Sequence, residues 1–72
     1  MDDAQITAKV KTGLSADKDI TAGKVDVDTT AGVVTLKGTV STDAARQRAV
    51  QIARNVKDVK DVRNELVVQA SR

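Results

Sequence analysis

The amino-acid sequence predicts an α+β domain with the element order αββαβ, a sandwich in which two helices pack on one face of a three-stranded mixed sheet. Three observations lead to this prediction. Apolar residues recur at helical spacing in two stretches, they alternate with polar residues in three others, and a glycine-containing turn joins the first two alternating stretches. With 72 residues the chain has the size of one domain, so we assign residues 1–72 to a single domain.

The first predicted helix covers residues 3–14. Its apolar stripe consists of residues spaced four apart: Ile6, Val10 and Leu14. Asp2 or Asp3 can cap its first turn, where unpaired backbone N–H groups favour a carboxylate. Residues 15–19 are polar and predict a loop, and we expect Ile20 to pack under the end of the helix.

Two alternating segments follow and predict a hairpin. In residues 24–29 two valines alternate with polar residues, and in residues 33–40 every second residue belongs to one mainly apolar face. Gly32, in the turn between them, tolerates the positive φ that tight hairpin turns require. Gly38 lies on the apolar face, where it either admits a closely packed helix or marks a bulge. We therefore expect one buried and one largely exposed sheet face.

The second predicted helix begins after Ser41 or Thr42, since either residue is a favourable N-cap. Its apolar face consists of small and aliphatic residues: Ala45, Ala49, Ile52, Ala53 and Val56. Because a helix turns by about 100° per residue, Arg46 and Arg54 lie about 80° apart with Val50 between them. We call these three residues the arginine strip and expect Val50 to be exposed.

The last predicted strand follows a polar turn at residues 57–61, in which Val59 is the apolar anchor. The core-facing positions of this strand are Val62, Asn64, Leu66 and Val68. Asn64 is the polar exception, and we expect its amide to bond a loop backbone near the end of the sheet. Residues 70–72 are expected to fray.

The composition excludes several classes of site. The chain has no Cys, His or aromatic residue, so disulfides and ordinary zinc sites are excluded, and acid–base catalysis would fall to Asp, Glu or Lys. The pair Asp17 and Asp19 is expected to be exposed with ordinary pKa values, and it provides too few ligands for a calcium loop. We therefore predict a protein that is not an enzyme and has no catalytic residues, metal site or cofactor.

The charge is unevenly distributed along the chain. The formal net charge is +2, with −2 in residues 2–36 and +4 in residues 37–72, so the second half can present a basic face, although soluble helices also carry arginine for solubility. The small net charge and the lack of aromatic residues argue against nucleic-acid binding. No apolar run approaches the roughly 20 residues of a membrane span. The N-terminus lacks a signal-peptide pattern, which fits either a cytoplasmic protein or a mature domain behind an added Met.

Three segments resemble the BON domain family (bacterial OsmY and nodulation). They are GVVTLKGTV at residues 32–40, the helix at 45–56, and VRNELVV at 62–68. Asp58 stands where this family usually has Gly. Because Asp tolerates a left-handed backbone better than most residues, we expect the turn to form at a small cost.

The resemblance implies an αββαβ fold, a periplasmic or cell-envelope location, and a non-catalytic binding role. Such domains often occur in tandem copies in cell-envelope proteins, and the family is associated with phospholipid membranes, outer-membrane integrity and osmotic stress. In related proteins the second helix is one proposed lipid-contacting surface, and the matching positions here are Arg46, Val50 and Arg54. The leading hypothesis is weak binding of anionic phospholipid, or of another envelope component, with avidity from further copies. The alternative is a protein-interaction module, monomeric or weakly self-associating through a sheet edge.

Overall fold

The computed structural model describes residues 2–69. Within them the elements are α1 (Asp3–Ser15), α2 (Lys18–Thr21), β1 (Lys24–Thr30), β2 (Val33–Val40), α3 (Asp43–Arg54) and β3 (Asp61–Val68). The predicted α+β class and the order αββαβ are confirmed. An additional short helix, α2, begins within the segment expected to be a loop, where the side chain of Asp17 accepts hydrogen bonds from the backbone. The expected fraying of residues 70–72 lies outside the described residues.

The sheet is mixed, with the strand order β1-β2-β3. β1 runs antiparallel to β2, whereas β3 runs parallel to it, so α3 is the crossover that a parallel pair requires. The hairpin turn between β1 and β2 has a φ of 51° at Ala31 and 82° at Gly32. Two successive positive φ values are typical of the two-residue turns whose twist matches that of the strands.

The core lies between the sheet and the helices. α1 packs mainly on β1, and α3 packs on β3 and β2, so both cover the same sheet face. The buried residues are Ile6, Val10, Leu14, Ile20, Val34, Leu36, Val40, Ala45, Ala49, Ala53, Val62 and Leu66. The helices also contact each other: a Cβ added at Gly13 would lie 2.6 Å from Cγ2 of Ile52. Gly13 is thus a helix–helix contact as well as a weak helix former.

Two neighbouring acids hold the start of α1 in place: one caps the helix, and the other bonds the hairpin turn. Asp2 is the N-cap, and its carboxylate accepts the N–H of Gln5 at 2.9 Å. The carboxylate of Asp3 instead accepts the N–H groups of Ala31 and Gly32, at 2.9 and 3.1 Å. This contact connects the first turn of α1 to the hairpin turn.

Two expectations about the strands are wrong. Gly38 has a φ of 118°, and a Cβ there would lie 1.9 Å from the carbonyl oxygen of Lys24 on β1, while the pairing register continues without an extra residue. The nearest neighbour is therefore the adjacent strand rather than a helix, and the continuous register excludes a bulge between β1 and β2. Asn64 is exposed, and its Oδ1 accepts the N–H of Leu66 at 3.1 Å. It bonds its own strand because the edge of β3 has no further strand to pair with this N–H group.

Two expectations about the turn before β3 are confirmed. Asp58 adopts a φ of 73°, the left-handed conformation predicted at this position. Val59 is half-buried and packs against the core. The turn also contacts the hairpin, because the N–H of Lys60 donates to the carbonyl of Gly32 at 2.8 Å.

Candidate functional site

The arginine strip lies on α3, whose N-cap is Thr42; its hydroxyl accepts the N–H of Ala45 at 3.0 Å. The three alanines of the helix, Ala45, Ala49 and Ala53, are fully buried against the sheet. Since residues 46, 50 and 54 are also spaced four apart, they form a second stripe beside the buried one.

The flank of α3 on which the strip lies faces away from α1. Arg48 and Ile52, on the other flank, contact the end of α1 and the segment that follows it. Because α3 lies over the edge strand β3, the strip runs along the outer border of the molecule beside this strand.

Val50 is half-buried and packs against the hydrophobic core. The expectation that it is exposed is therefore wrong. The helical wheel places it well away from the centre of the buried face, but α3 lies close over the edge of the sheet, so a side chain on this flank still reaches apolar atoms. Val50 provides only a small apolar surface to a ligand.

Arg46 is held by its own helix. Its Nη2 forms an ion pair with Oδ1 of Asp43, and the other carboxylate oxygen of Asp43 accepts a hydrogen bond from Nε2 of Gln47 at 2.8 Å. The Nε of Arg46 is buried and has no hydrogen-bond partner in the described part of the chain. Asp43 is a residue that the sequence reasoning missed, although its spacing of three residues from Arg46 is the signal for such a pair.

Arg54 is exposed at the last position of α3 and makes no ion pair within residues 2–69. Lys57, three residues later, is likewise exposed and makes no ion pair there. Cations at this end of a helix are favoured because the C-terminal carbonyl groups carry partial negative charge. Of the two arginines in the strip, Arg54 is thus the one whose charge is open to an external anion.

Arg48 links α3 to α2 through ion pairs with Asp17 and Asp19, which we call the ion-pair tie. Its Nε donates to Asp17 Oδ2 at 2.6 Å, and its Nη2 donates to Asp19 Oδ2 at 2.8 Å. The hydrogen bond from Arg48 holds the pKa of the Asp17 carboxyl below its ordinary value, although partial desolvation opposes this, and bonds from the backbone N–H groups of Asp19 and Ile20 add to the lowering. The hydrogen bonds to Asp17 and then Asp19 raise the pKa of Arg48 above its ordinary value.

The expectation of exposed, unshifted carboxylates is therefore wrong for Asp17. The reason is its distant partner, since Arg48 is 31 residues away in the sequence. This tie also removes Arg48 from the basic face that the charge distribution suggested. The predicted basic half is partly neutralised by acids from the first half.

The outer face of the sheet carries charges of both signs. The register places Asp26 opposite Lys37 on β2, and Lys37 opposite Glu65 on β3. Opposite charges on neighbouring strands attract one another, so this face has little net field. Val67, 60% exposed, is its main apolar feature, and Val68 is 40% exposed at the end of the same strand.

The open edge of β3 is partly closed by side chains. The N–H of Val62 donates to Oδ1 of Asp61 at 2.8 Å, and the N–H of Leu66 donates to Oδ1 of Asn64 at 3.1 Å. Alternate residues of an edge strand direct their N–H groups outward, and these are the donors that an added strand would need. The edge is therefore less available to a partner than its length suggests.

No group of three or more acidic side chains is arranged to hold a metal ion among residues 2–69. In the same part of the chain, every helix is too short or too polar to cross a bilayer.

Comparison with known proteins gives two matches. A protein-family model described as BON domain matches residues 2–70. The chain is also 44% identical, over 64 residues, to Osmotically-inducible protein Y of Escherichia coli (strain K12). The aligned region is 89% of this chain but 32% of the relative, so the chain spans about a third of the length of that protein.

Proposed function

Because the chain belongs to the BON domain family, we propose that it is a non-catalytic binding module of the cell envelope that acts in osmotic stress and contacts anionic phospholipid through α3. The family match and the name of the relative, Osmotically-inducible protein Y, support the osmotic-stress role. The periplasmic or outer-membrane location and the lipid ligand are part of the same proposal.

The main support for the proposed lipid contact is the exposed cation at the end of the arginine strip, Arg54. Arg54 and the nearby Lys57 make no ion pair in residues 2–69, so both can pair with lipid phosphates. Arg46 adds a second guanidinium on the same flank of α3, and the exposed part of Val50 contacts the interface between them.

The expected binding is weak. A Lys or Arg near an anionic surface contributes about 1 kcal/mol, and a strip with two or three such residues therefore gives a low affinity. The chain has no Trp or Tyr for the headgroup region. Further copies of the domain in a longer protein would raise the overall affinity by avidity.

Co-sedimentation with phosphatidylglycerol vesicles at low salt tests this proposal. The double variant Arg46→Gln/Arg54→Gln is expected to bind about five- to thirtyfold more weakly, since Arg46 is partly neutralised already. The matched control is Lys37→Gln/Arg63→Gln, which removes the same charge from the outer sheet face. If the wild-type chain does not sediment with the vesicles, or if both variants lose the same affinity, the proposal is wrong.

The alternative function is protein interaction or self-association through the edge of β3. The exposure of Val67 and Val68 favours it, because these valines give the end of the edge strand apolar surface on both of its faces. The side chains of Asp61 and Asn64, which already bond two of the edge N–H groups, count against a long added strand. Sedimentation velocity over a concentration series separates a monomer from a self-associating chain.

A further inference from the structure

Asp43 and Arg46 form an ion pair at the beginning of the arginine strip. The side chain of Asp43 is 55% exposed and that of Arg46 is 37% exposed, so the pair borders the solvent on the flank where a membrane would lie. Gln47 holds the second carboxylate oxygen of Asp43 at 2.8 Å, which keeps the carboxylate in place against the guanidinium.

This arrangement weakens phosphate binding by Arg46. A guanidinium binds phosphate best through two parallel N–H bonds. In the structure the Nη2 of Arg46 is bonded to Asp43, and its Nε is buried without an acceptor in the described residues. The N–H groups of Nη1 and the second N–H of Nη2 remain for a phosphate, but the Asp43 carboxylate partly neutralises the guanidinium and occupies one side of it.

We propose that Asp43 competes with lipid phosphate for Arg46 and thereby sets the affinity of α3 for an anionic membrane. The inference rests on the proposed function. Arg54, which has no acid partner in residues 2–69, makes the first contact with the headgroups. Arg46 joins when a phosphate replaces the carboxylate of Asp43, and the negative charge of Asp43 also repels the anionic surface directly.

The test is the variant Asp43→Asn, which keeps the size of the side chain and removes its charge. It is expected to bind phosphatidylglycerol vesicles about fivefold more tightly than the wild-type chain, the effect of about one charge near the surface. The matched control is Asp28→Asn, which makes the same change in net charge at an exposed position on the outer sheet face. Vesicles of neutral phosphatidylcholine provide the reference surface.

The double variant Asp43→Asn/Arg46→Gln separates competition for Arg46 from simple repulsion. If Asp43 acts through Arg46, Asp43→Asn gives little gain in affinity when it is added to Arg46→Gln; the same gain in both backgrounds indicates simple repulsion and overturns the inference. Circular dichroism melting of each variant shows whether α3 remains folded, and the exchange rate of the Arg46 Nε–H signal in NMR, which rises when the ion pair is released, gives a readout without lipid.

The outcomes distinguish the inference from the proposed function. If the wild-type chain binds and Asp43→Asn gains no more than Asp28→Asn, the inference is overturned and the proposed function stands. If the wild-type chain does not bind but Asp43→Asn does, the proposed function fails and the competition by Asp43 is supported. If neither binds, both are overturned.

Discussion

The substitution Gly13→Ala gives opposite expectations from the sequence and from the structure. Gly13 lies in the last turn of α1, where replacing Gly by Ala normally stabilises a helix by up to about 1 kcal/mol. In the folded chain, however, the added Cβ would lie 2.6 Å from Cγ2 of Ile52 on α3, well inside van der Waals contact. We therefore expect the variant to be less stable than the wild-type chain.

The magnitude follows from the rigidity of the partner. Cγ2 of Ile52 is attached at the branched Cβ, and β-branched side chains in helices have one strongly preferred χ1 rotamer. Relief of the contact therefore requires α1 and α3 to move apart, and such overpacking costs about 1–3 kcal/mol. After subtraction of the helix-propensity gain, the expected net loss is about 1 kcal/mol of unfolding free energy.

Urea denaturation followed by far-UV circular dichroism measures this loss, since the chain has no aromatic residue for fluorescence. The companion variant Ile52→Ala removes the colliding atom, and in that background Gly13→Ala should become stabilising by about 1 kcal/mol. A stabilised single variant, or the same effect in both backgrounds, would show that the helices do not meet at Gly13.

Two further predictions concern the ion-pair tie and the strand edge. Because the pKa of Asp17 is lowered by folding, its stabilisation is complete above its unfolded-state pKa and is lost as the pH falls through the lower folded-state value. The difference in urea midpoint between the wild-type chain and Arg48→Gln should therefore shrink between about pH 6 and about pH 2, and an unchanged difference would refute the tie. The variant Asn64→Val frees the N–H of Leu66 at the open edge and should increase self-association in sedimentation velocity, whereas Asn64→Asp keeps the acceptor and should not.

The candidate site shows which features of a surface can be read from a sequence. The spacing of the arginine strip along α3 follows from helical periodicity alone, and so does the local pair of Asp43 and Arg46. The partners of Arg48 are 29 and 31 residues away, and no local pattern indicates them. Which cations of the strip remain open to a ligand is consequently a property of the folded chain.

The sequence by itself determined the elements and their order, apart from the short helix α2. Helical and strand periods, the N-caps of α1 and α3, and the positive φ values at Gly32 and Asp58 depend on residues within a few positions of one another. These features are local, so the pattern of side chains is sufficient to predict them.

The tertiary structure decided the surroundings of each residue. The neighbours of Gly13 and Gly38, the half-burial of Val50, and the edge bond of Asn64 arise where two separate elements meet or where a sheet ends. The physical reason is that side-chain periodicity specifies which face of an element is apolar. How closely another element approaches that face, and whether it covers the whole of it, depends on the packing of residues far apart in the chain.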